Sequence, residues 1–225
     1  MQKKKEYYFS KIPEATIKRL SIYIRCLRKL EEQGTQVVSS NDLGDVCCIN
    51  SAQIRKDLSY FGEFGVRGVG YDIKKLQDDI KEVLGLNRTW KSILVGVGNL
   101  GRALLHYPSF EEDGYKWVGA FDVDKSIIGE KVSENIEVSD FNEINKDVIE
   151  RLSPDFAVIT TPADVAQEVV DKLIELGISA FLNFAPVKIK VDENKIILKN
   201  VFIISEFDNM AFYLSKRNME QKLGF

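Results

Sequence analysis

The stretch KSILVGVGNLG, residues 91–101, decides how a large part of this 225-residue chain folds. Residues 92–97 form a short run rich in Ile, Leu and Val, which is typical of a strand buried on both faces of a parallel sheet. Gly96, Gly98 and Gly101 follow the spacing G-x-G-x-x-G, and the apolar residues after them recur at helical spacing. Strand, tight turn and helix are the context in which such glycines bind a pyrophosphate, because backbone amides at the helix start face the phosphates.

The next predicted strand, residues 117–121 (WVGAF), favours a dinucleotide over a simpler phosphate ligand. It leads into Asp122, about 20 residues after the last glycine, where an acid can accept both ribose hydroxyls of an adenosine. A carboxylate there favours NAD(H), since a 2′-phosphate would call for an Arg instead. The alternative is a surface acid that merely follows an edge strand.

Length and composition indicate a soluble globular protein with room for one large domain or two modest ones. Charged residues make up 29% of the chain and hydrophobic residues 44%. No apolar run approaches the ~20 residues of a membrane helix, and no apolar segment follows the N-terminal lysines as in a secretory signal. We therefore expect a cytoplasmic protein.

Cysteine and histidine usage argues against a metal site. The chain holds Cys26, Cys47, Cys48 and one histidine, His106, without a C-x-x-C pair. Neither a zinc site nor a disulfide framework is therefore expected. The adjacent Cys47 and Cys48 are either small buried thiols or the two halves of a vicinal disulfide that acts as a redox switch.

Charge is divided unevenly along the chain. The first 88 residues carry 16 Lys and Arg against 12 Asp and Glu, whereas the remainder carries 15 against 22. Any polyanion is therefore expected to meet the N-terminal segment.

This segment has the helix pattern of a DNA-binding module. Its predicted helices are residues 10–32, a short helix capped by Ser40 or Asn41, and residues 52–61, capped by Asn50 or Ser51. The third helix turns four polar side chains outward, of types that read bases or hold phosphates in the major groove: Gln53, Arg55, Lys56 and Ser59. The alternative is a small helical bundle with a solvated polar face.

A glycine-rich segment, residues 62–71, surrounds Arg67 with four glycines. Such a hairpin tip can act as a wing that presents Arg67 to a narrow A·T-rich minor groove, where the negative potential is greatest. Helical spacing returns in residues 72–84. Residues 85–91 are the best candidate for a linker between two domains.

Strands and helices alternate after residue 91, which predicts a parallel, doubly wound sheet. Strands are predicted at 156–160 and 178–182, helices at 140–152 and 164–176, and a loop through residues 124–129. Ligands bind at the carboxyl edge of such a sheet, so the residues after these strands are expected to approach the cofactor: Thr160, Thr161, Pro162, Asn183, Phe184 and Ala185. Phe184 either packs on nicotinamide or belongs to the core.

The C-terminal part predicts two strand-like runs within residues 187–204 and a helix over residues 206–223. Large apolar residues lie on several sides of this helix: Phe207, Met210, Ala211, Phe212, Tyr213 and Leu214. They exceed what a single neighbour can cover, which favours an oligomer interface or insertion into a partner subunit. Packing on its own domain is the alternative.

Three stretches together resemble the Rex family of bacterial redox-sensing transcriptional repressors, which respond to NADH. They are INSAQIRKDLSYFGEFGVRGVGY, then GVGNLG with AFDVD, and the terminal helix with its AFYL. The resemblance spans essentially the whole chain. It implies a winged helix-turn-helix DNA-binding domain over residues 1–85, a Rossmann NAD(H)-binding domain over residues 86–205, and a helix over residues 206–225 that is exchanged in a homodimer.

The resemblance also implies a function and its residues. The homodimer would bind a palindromic operator when NADH is low and release it when NADH binds, with no enzymatic activity. The residues expected to hold NADH or NAD+ are Gly96, Val97, Gly98, Asn99, Leu100, Gly101, Tyr107, Asp122, Val123, Asp124, Thr160, Thr161, Pro162, Ala163, Asn183, Phe184, Ala185 and Pro186. Those expected to contact DNA are Ser51, Gln53, Arg55 and Lys56 in the major groove and Arg67 in the minor groove.

Two positions depart from the family pattern. Many members have an Arg at the first x of G-x-x-G and an Asp at the entrance to the terminal helix, and both flank a Tyr linked to telling NADH from NAD+. Here Tyr107 is kept, whereas Asn99 and Phe202 replace the two charges. Losing both is chemically coherent, because either charge alone would be left buried and unpaired at a cost of roughly 2–5 kcal/mol.

The alternative function is an NAD-dependent dehydrogenase with an accessory helical domain. It needs an acid–base residue beside the nicotinamide, and the usual choice, a histidine, occurs only as His106 in the first helix of the predicted sheet domain. Lys125 and Tyr107 are the other candidates, but nothing in the sequence pairs them with a substrate pocket.

Overall fold

The computed structural model describes residues 12–62, 64–65 and 69–223. The chain divides into two compact units, residues 1–88 and residues 89–225. The first unit is mainly helical, and the second is built on a seven-stranded sheet. None of the described helices is long and apolar enough to cross a membrane.

The described part of the first unit contains four helices and a two-stranded ribbon. Their bounds are α1 (Glu14–Glu32), β1 (Val37–Val38), α2 (Ser40–Cys47), α3 (Ser51–Ser59), β2 (Tyr71–Asp72) and α4 (Ile73–Leu84). The ribbon is antiparallel, with Val38 opposite Tyr71. The apolar faces of all four helices meet in one core that includes Leu20, Leu27, Leu43, Ile54, Leu76 and Ile80.

Local side-chain chemistry explains where α2 and α3 begin. The hydroxyl of Ser39 accepts the N–H of Asp42, whose carboxylate in turn accepts the N–H of Ser39, so Ser39 and not the expected Ser40 or Asn41 caps α2. Asn50 caps α3 by accepting the N–H of Ala52, as one of the two predicted alternatives required. A Cβ on Gly44 would lie 2.5 Å from the carbonyl oxygen of Ile49, so this glycine lets the turn after α2 pass close to the helix.

The described part of the second unit consists of seven strands and four α-helices. Their bounds are β3 (Trp90–Val95), α5 (Asn99–Leu105), β4 (Tyr115–Asp122), β5 (Lys131–Ser133), β6 (Ile136–Asp140), α6 (Lys146–Leu152), β7 (Phe156–Ile159), α7 (Ala166–Glu175), β8 (Ala180–Asn183), β9 (Ile197–Asn200) and α8 (Ile203–Leu223). A short 3-10 turn, Phe141–Glu143, precedes α6.

The sheet has the strand order β5-β6-β4-β3-β7-β8-β9, and every pair is parallel except β5 with β6. Without the antiparallel edge strand, this is the 3-2-1-4-5-6 order of a dinucleotide-binding fold, which reverses direction between β3 and β7. Ligands of such sheets bind at the carboxyl edge beside this reversal. The predicted fold class of this unit is therefore confirmed.

Alternate residues of β3 enter two different cores. Ile93 and Val95 pack with residues of α6 and α7, such as Ile149 and Val170. Leu94 packs on the opposite face, in a smaller cluster that also holds Leu105 of α5. The uninterrupted Ile-Leu-Val run of β3 follows from this burial on both sides.

Several element bounds differ from the sequence prediction. The hairpin of β5 and β6 was not predicted, and the helix expected over residues 140–152 begins only at Lys146, because residues 136–140 extend the sheet. Helix α7 begins at Ala166 rather than at residue 164. Of the two strands expected within residues 187–204, only β9 forms, and α8 begins at Ile203, three residues early.

Candidate cofactor and DNA sites

The glycine turn after β3 contains two glycines that packing requires. Gly96 has φ +100°, and a Cβ on it would lie 2.8 Å from the carbonyl carbon of Thr160, so β3 turns against the end of β7. A Cβ on Gly101 would overlap the carbonyl oxygen of Gly96, so this glycine lets α5 pack against the turn. Both close approaches match the roles of the first and third glycines in G-x-G-x-x-G.

Gly98 differs from its two neighbours in the motif. A Cβ on it would meet no described atom within 4 Å, and its φ of −76° is open to any residue. The protein's own packing therefore does not require a glycine here. The open space lies at the N-cap of α5, where a bound pyrophosphate needs to approach the backbone, so the residues present fit such a group.

Asp122, at the end of β4, holds the glycine turn after β3 in place through hydrogen bonds. Its Oδ2 accepts the N–H of Val97 at 2.6 Å, and its Oδ1 accepts the N–H groups of Val123 and Asp124 at 2.7 and 3.0 Å. A carboxylate offers about four lone-pair positions, so about one remains on Oδ2. Accepting both ribose hydroxyls, as the sequence suggested, therefore requires a backbone N–H to be shared or released.

Two threonines follow β7 at the same edge. The hydroxyl of Thr160 donates to the carbonyl oxygen of Gly96 at 2.7 Å, which ties the ends of β3 and β7 together. The hydroxyl oxygen of Thr161 is buried and has no hydrogen-bond partner among the described residues. Because a buried hydroxyl without a partner is costly, this atom is suited to contact a bound ligand.

The side chain of Asn183, at the end of β8, makes its hydrogen bonds with other groups of the protein. Its side chain is fully buried, and its amide nitrogen donates to the carbonyl oxygen of Val187 at 3.0 Å and to Oδ1 of Asn200 at 2.9 Å. Its Oδ1 accepts the N–H of Ala185 at 3.0 Å. This side chain shapes the loop through Pro186 and ties β8 to β9, so the loop backbone is better placed than the amide to meet a ligand.

Phe184 packs with the smaller core cluster, beside Trp117 and Leu182. It also lines an apolar groove of about 420 Å³ together with Phe110, Phe156 and other residues of the second unit. Of the two alternatives left open by the sequence, this placement favours the core aromatic.

The residues considered as acid–base groups of a dehydrogenase are all exposed in the structure. His106 is exposed at the end of α5, with Nδ1 2.8 Å from the carbonyl oxygen of Arg102. Tyr107 is 52% exposed, and Lys125 is exposed in a turn. No group of three His, Cys, Asp or Glu that could hold a metal ion occurs in residues 12–62, 64–65 and 69–223.

On the first unit, four of the five predicted DNA-contacting residues lie within the first two turns of α3. Arg55 donates from Nη1 to the hydroxyl of Ser40 on α2 at 2.7 Å, and Lys56 is exposed. Gln53 is half-buried and donates to a carboxylate of α3 itself, so it is less outward than predicted. Ser51 is half-buried in the first turn, and Arg67 lies outside the described residues.

Asp57, the residue to which Gln53 donates, was not predicted from the sequence. Its side chain is fully buried, and Arg19 of α1 donates to it from Nε at 2.5 Å and from Nη2 at 2.7 Å. Tyr23 and Thr16 donate their hydroxyls at 2.7 and 3.0 Å. A sequence signal existed, because Asp57 lies three residues after the inward Ile54 and one before the inward Leu58, on the buried face of α3.

The directions of the pKa shifts in this network are those expected around an ionised carboxylate. Burial alone would raise the pKa of Asp57, but hydrogen bonds from Arg19, Tyr23, Gln53 and Thr16 outweigh burial and lower it. The bond to Asp57 raises the pKa of Arg19 despite partial burial, and burial together with that bond raises the pKa of the Tyr23 phenol. The carboxylate is therefore charged at neutral pH.

The terminal helix α8 leaves its apolar residues uncovered. Every described side chain from Phe202 to Gln221 is exposed, including Phe207 at 67% and Met210 at 61%. The groove beside Phe184 is also apolar, and the indole N–H of Trp117 in its lining is buried with no acceptor among the described residues. Exposed apolar surface of this kind marks an interaction site.

A relative with a known name matches nearly the whole chain. The redox-sensing transcriptional repressor Rex of Syntrophobacter fumaroxidans (strain DSM 10017 / MPOB) is 47% identical over 207 residues, which make up 92% of this chain and 98% of that protein. The chain belongs to the Rex family. The family predicted from the sequence is thus confirmed.

Solved structures and family models agree with this membership. RSP, a Rex-family repressor, in complex with β-NAD+ and operator DNA superposes with a TM-score of 0.85 at 34% identity, over 94% of this chain and 96% of that one. RSP in complex with β-NADH gives 0.82 at 33% identity, over 95% and 99%. The family models "Putative DNA-binding protein N-terminus" and "CoA binding domain" match residues 11–59 and 87–187.

These matches decide between the two functions considered. The relatives are named transcriptional repressors, which confirms the predicted non-enzymatic class and disfavours the dehydrogenase alternative. The same structural neighbours hold NADH or NAD+, and one also holds operator DNA. The cofactor and the DNA partner predicted from the sequence are therefore the ligands found in these Rex-family structures.

Proposed function

We propose that this Rex-family chain is an NADH-sensing repressor that binds operator DNA through α3 and leaves it when NADH occupies the glycine turn. The observation that carries the proposal is the joining, in one chain, of a capped helix pair to a sheet in dinucleotide-binding order. NADH can open the complex only by binding the released state better than the DNA-bound state. A hundredfold preference corresponds to about 2.7 kcal/mol.

The proposed cofactor site is the one predicted from the sequence, centred on residues 96–101 and Asp122. Open space at Gly98 and the orphaned hydroxyl of Thr161 support it. The carboxylate of Asp122 disfavours a ligand with a phosphate on its adenosine ribose, because like charges would face each other. Both NADPH and coenzyme A carry such a phosphate, so NADH and NAD+ are the expected ligands.

The proposed DNA site is α3 with the segment after it. The N-cap at Asn50 starts α3 so that Ser51, Gln53, Arg55 and Lys56 lie within its first two turns, where a recognition helix meets base edges. Arg67 is proposed to reach the minor groove, and it belongs to the same site. The domain limits 1–85, 86–205 and 206–225 are proposed on the same basis.

We also infer a homodimer in which α8 is exchanged between subunits. The uncovered Phe207 and Met210 of α8 and the apolar groove lined by Phe110, Phe156 and Phe184 are complementary in character. An isologous dimer would present two copies of α3, which is the arrangement that reads a palindromic operator.

A fluorescence-anisotropy titration tests the function. A labelled duplex selected by the full-length protein from random DNA is titrated with protein alone, and then with protein plus NADH, NAD+, NADPH or coenzyme A. We expect NADH to weaken DNA binding about a hundredfold, with far smaller effects of NADPH and coenzyme A. An unchanged binding curve with NADH would exclude the gating, and an equal effect of NADPH would exclude the Asp122 argument.

A further inference from the structure

The side-chain amide of Gln53 is held in place before any DNA arrives. Its Nε2 donates to Oδ1 of Asp57 at 2.8 Å, one turn later on α3. An ionised carboxylate only accepts hydrogen bonds, so the nitrogen, and not the oxygen, must face Asp57. The bond therefore fixes both the position and the direction of the amide.

Asp57, which accepts this hydrogen bond from Gln53, is itself held in one position. Asp57 is 0% exposed and also accepts from Arg19, Tyr23 and Thr16, at 2.5 to 3.0 Å, all on the neighbouring helix α1. Five donors share about four lone-pair positions. The carboxylate is thus saturated by the protein and has no capacity left for a base or a water molecule.

The amide, in contrast, keeps part of its capacity. After one N–H is used on Asp57, Gln53 retains its second N–H and its carbonyl oxygen. One donor and one acceptor are what a bidentate contact with the N7 and N6 edge of adenine requires. A glutamine already held in one orientation also loses less rotamer freedom on binding than a mobile one.

We propose that Asp57 is a positioning residue for operator recognition, which orients the Gln53 amide and thereby sets the base pair that α3 reads. This inference rests on the proposed DNA-binding function of α3. A merely structural Asp57 would instead support the fold of the first unit and affect all DNA sequences equally.

The test is a base-pair substitution scan of the selected operator by fluorescence anisotropy, with full-length wild type, Gln53→Ala, Asp57→Asn and Tyr23→Phe. Gln53→Ala identifies the base pair that Gln53 reads, where wild-type discrimination should be about tenfold to a hundredfold. Asp57→Asn should lower discrimination at that same base pair by about tenfold and leave it unchanged elsewhere. Tyr23→Phe removes another donor to the same carboxylate without touching Gln53, so it should keep the wild-type pattern.

A measurement on the unaltered protein covers the case in which Asp57→Asn fails to fold. In an amide nitrogen NMR spectrum of the DNA-free wild type, the Gln53 NH₂ group is expected to show restricted motion and one slowly exchanging proton. Its signals are assigned by their loss in Gln53→Ala. A freely rotating, fast-exchanging Gln53 amide would overturn the proposal.

The outcomes separate the inference from the function on which it rests. If Gln53→Ala, Arg55→Ala and Lys56→Ala leave DNA affinity unchanged, the assignment of α3 is wrong and the role of Asp57 is wrong with it. If these variants weaken binding but Asp57→Asn lowers affinity uniformly across the scan, only the positioning role is overturned. Loss of discrimination at the Gln53 base pair alone supports both.

Discussion

The carbonyl oxygen of Gly96 occupies the space that a Cβ on Gly101 would need. Gly98 lies between them in sequence and borders open space instead. One motif therefore contains glycines of two kinds: two that the packing of β3, β7 and α5 demands, and one that the protein's own packing leaves unexplained. Substitutions should separate these two roles.

We expect Gly98→Val to fold and to lose NADH binding, and Gly101→Ala to destabilise the second unit. The Val side chain meets no described atom near its Cβ, so the loss of stability should stay within about 1 kcal/mol, as for a changed N-cap. It would fill the space proposed for the pyrophosphate, so NADH affinity should fall at least about tenfold. Thermal unfolding and NADH fluorescence titrations measure both effects.

The contrast with Gly101→Ala serves as the control. This methyl group would displace α5 from the turn, so we expect a cost of about 2 kcal/mol or more. Wild-type NADH affinity in Gly98→Val would contradict the proposed place of the pyrophosphate. Equal destabilisation by both substitutions would contradict the distinction between the two kinds of glycine.

The parts of the fold that were predictable depend on local patterns. Because β3 is buried on both faces, its sequence is an unbroken apolar run. Because the backbone approaches closely at Gly96 and Gly101, these positions require glycine, and the motif is visible in the sequence. The hairpin of β5 and β6 was missed although Val132, Ile136 and Val138 are buried and Glu137 is exposed. Such short alternations are easily outweighed by the helical pattern that follows them.

The buried network of Asp57 could not be predicted in the same way. Its partners Thr16, Arg19 and Tyr23 lie 34 to 41 residues earlier in the chain, and only the packing of α1 against α3 brings them together. Gln53 was predicted to face outward because the helical spacing places it on the polar side of α3. That spacing does not show that Asp57, one turn later, accepts a hydrogen bond from it. The apolar residues of α8 can likewise be recognised in its sequence, but the surface that covers them lies elsewhere and leaves no signal in that stretch.

Acid should weaken the first unit through Asp57. The folded pKa of Asp57 is below its ordinary value of 3.8, so the folded state binds this proton less readily than the unfolded state does. The stability that Asp57 contributes is therefore complete above pH 3.8 and is lost as the pH falls through the folded value. We expect wild type to lose stability below about pH 4.

Urea unfolding followed by helix circular dichroism at pH 3 to 7 tests this dependence. Asp57→Asn should be less stable than wild type at pH 7 by about 3 kcal/mol, because Arg19 is left without its partner, and the difference should shrink in acid. Lys18→Gln, which removes an exposed pair with Glu14 on α1 of the same unit, is the matched control and should change stability by less than about 1 kcal/mol. A constant difference between wild type and Asp57→Asn down to pH 3 would contradict the assignment.

Cys47 and Cys48 should react with iodoacetamide at very different rates. Burial, aided by a hydrogen bond with Cys26, raises the pKa of the Cys47 thiol well above its usual range, so little thiolate forms there at neutral pH. Cys48 is exposed at the C-cap of α2. We expect Cys48 to be modified at least about tenfold faster than Cys47, as measured by tandem mass spectrometry at pH 8.

This order bears on the two alternatives for the adjacent cysteines. A thiol that stays protonated is a poor nucleophile, so a disulfide between Cys47 and Cys48 should form slowly, which favours the buried-thiol alternative. Cys48→Ser, with a serine of similar size, should lose the fast phase and keep the slow one. Rapid modification of Cys47 in that variant would contradict the protected environment.

The apolar surface of α8 should hold two copies of the chain together. Phe207, Met210 and Leu214 are 67, 61 and 43% exposed and recur at three- and four-residue steps, so they form one stripe. Burying a large apolar side chain contributes about 1.5–3 kcal/mol, so a charge at two of these positions should weaken a dimer by a hundredfold or more. In light scattering after size exclusion, wild type should have twice the 25.6 kDa mass of the chain, and the double variant Phe207→Asp, Leu214→Asp should shift to the single mass. Asn209→Asp adds a charge at an exposed polar position on the opposite face of the same helix and should remain dimeric, so a monomeric wild type, or dissociation by Asn209→Asp alone, would exclude the apolar stripe as the cause of assembly.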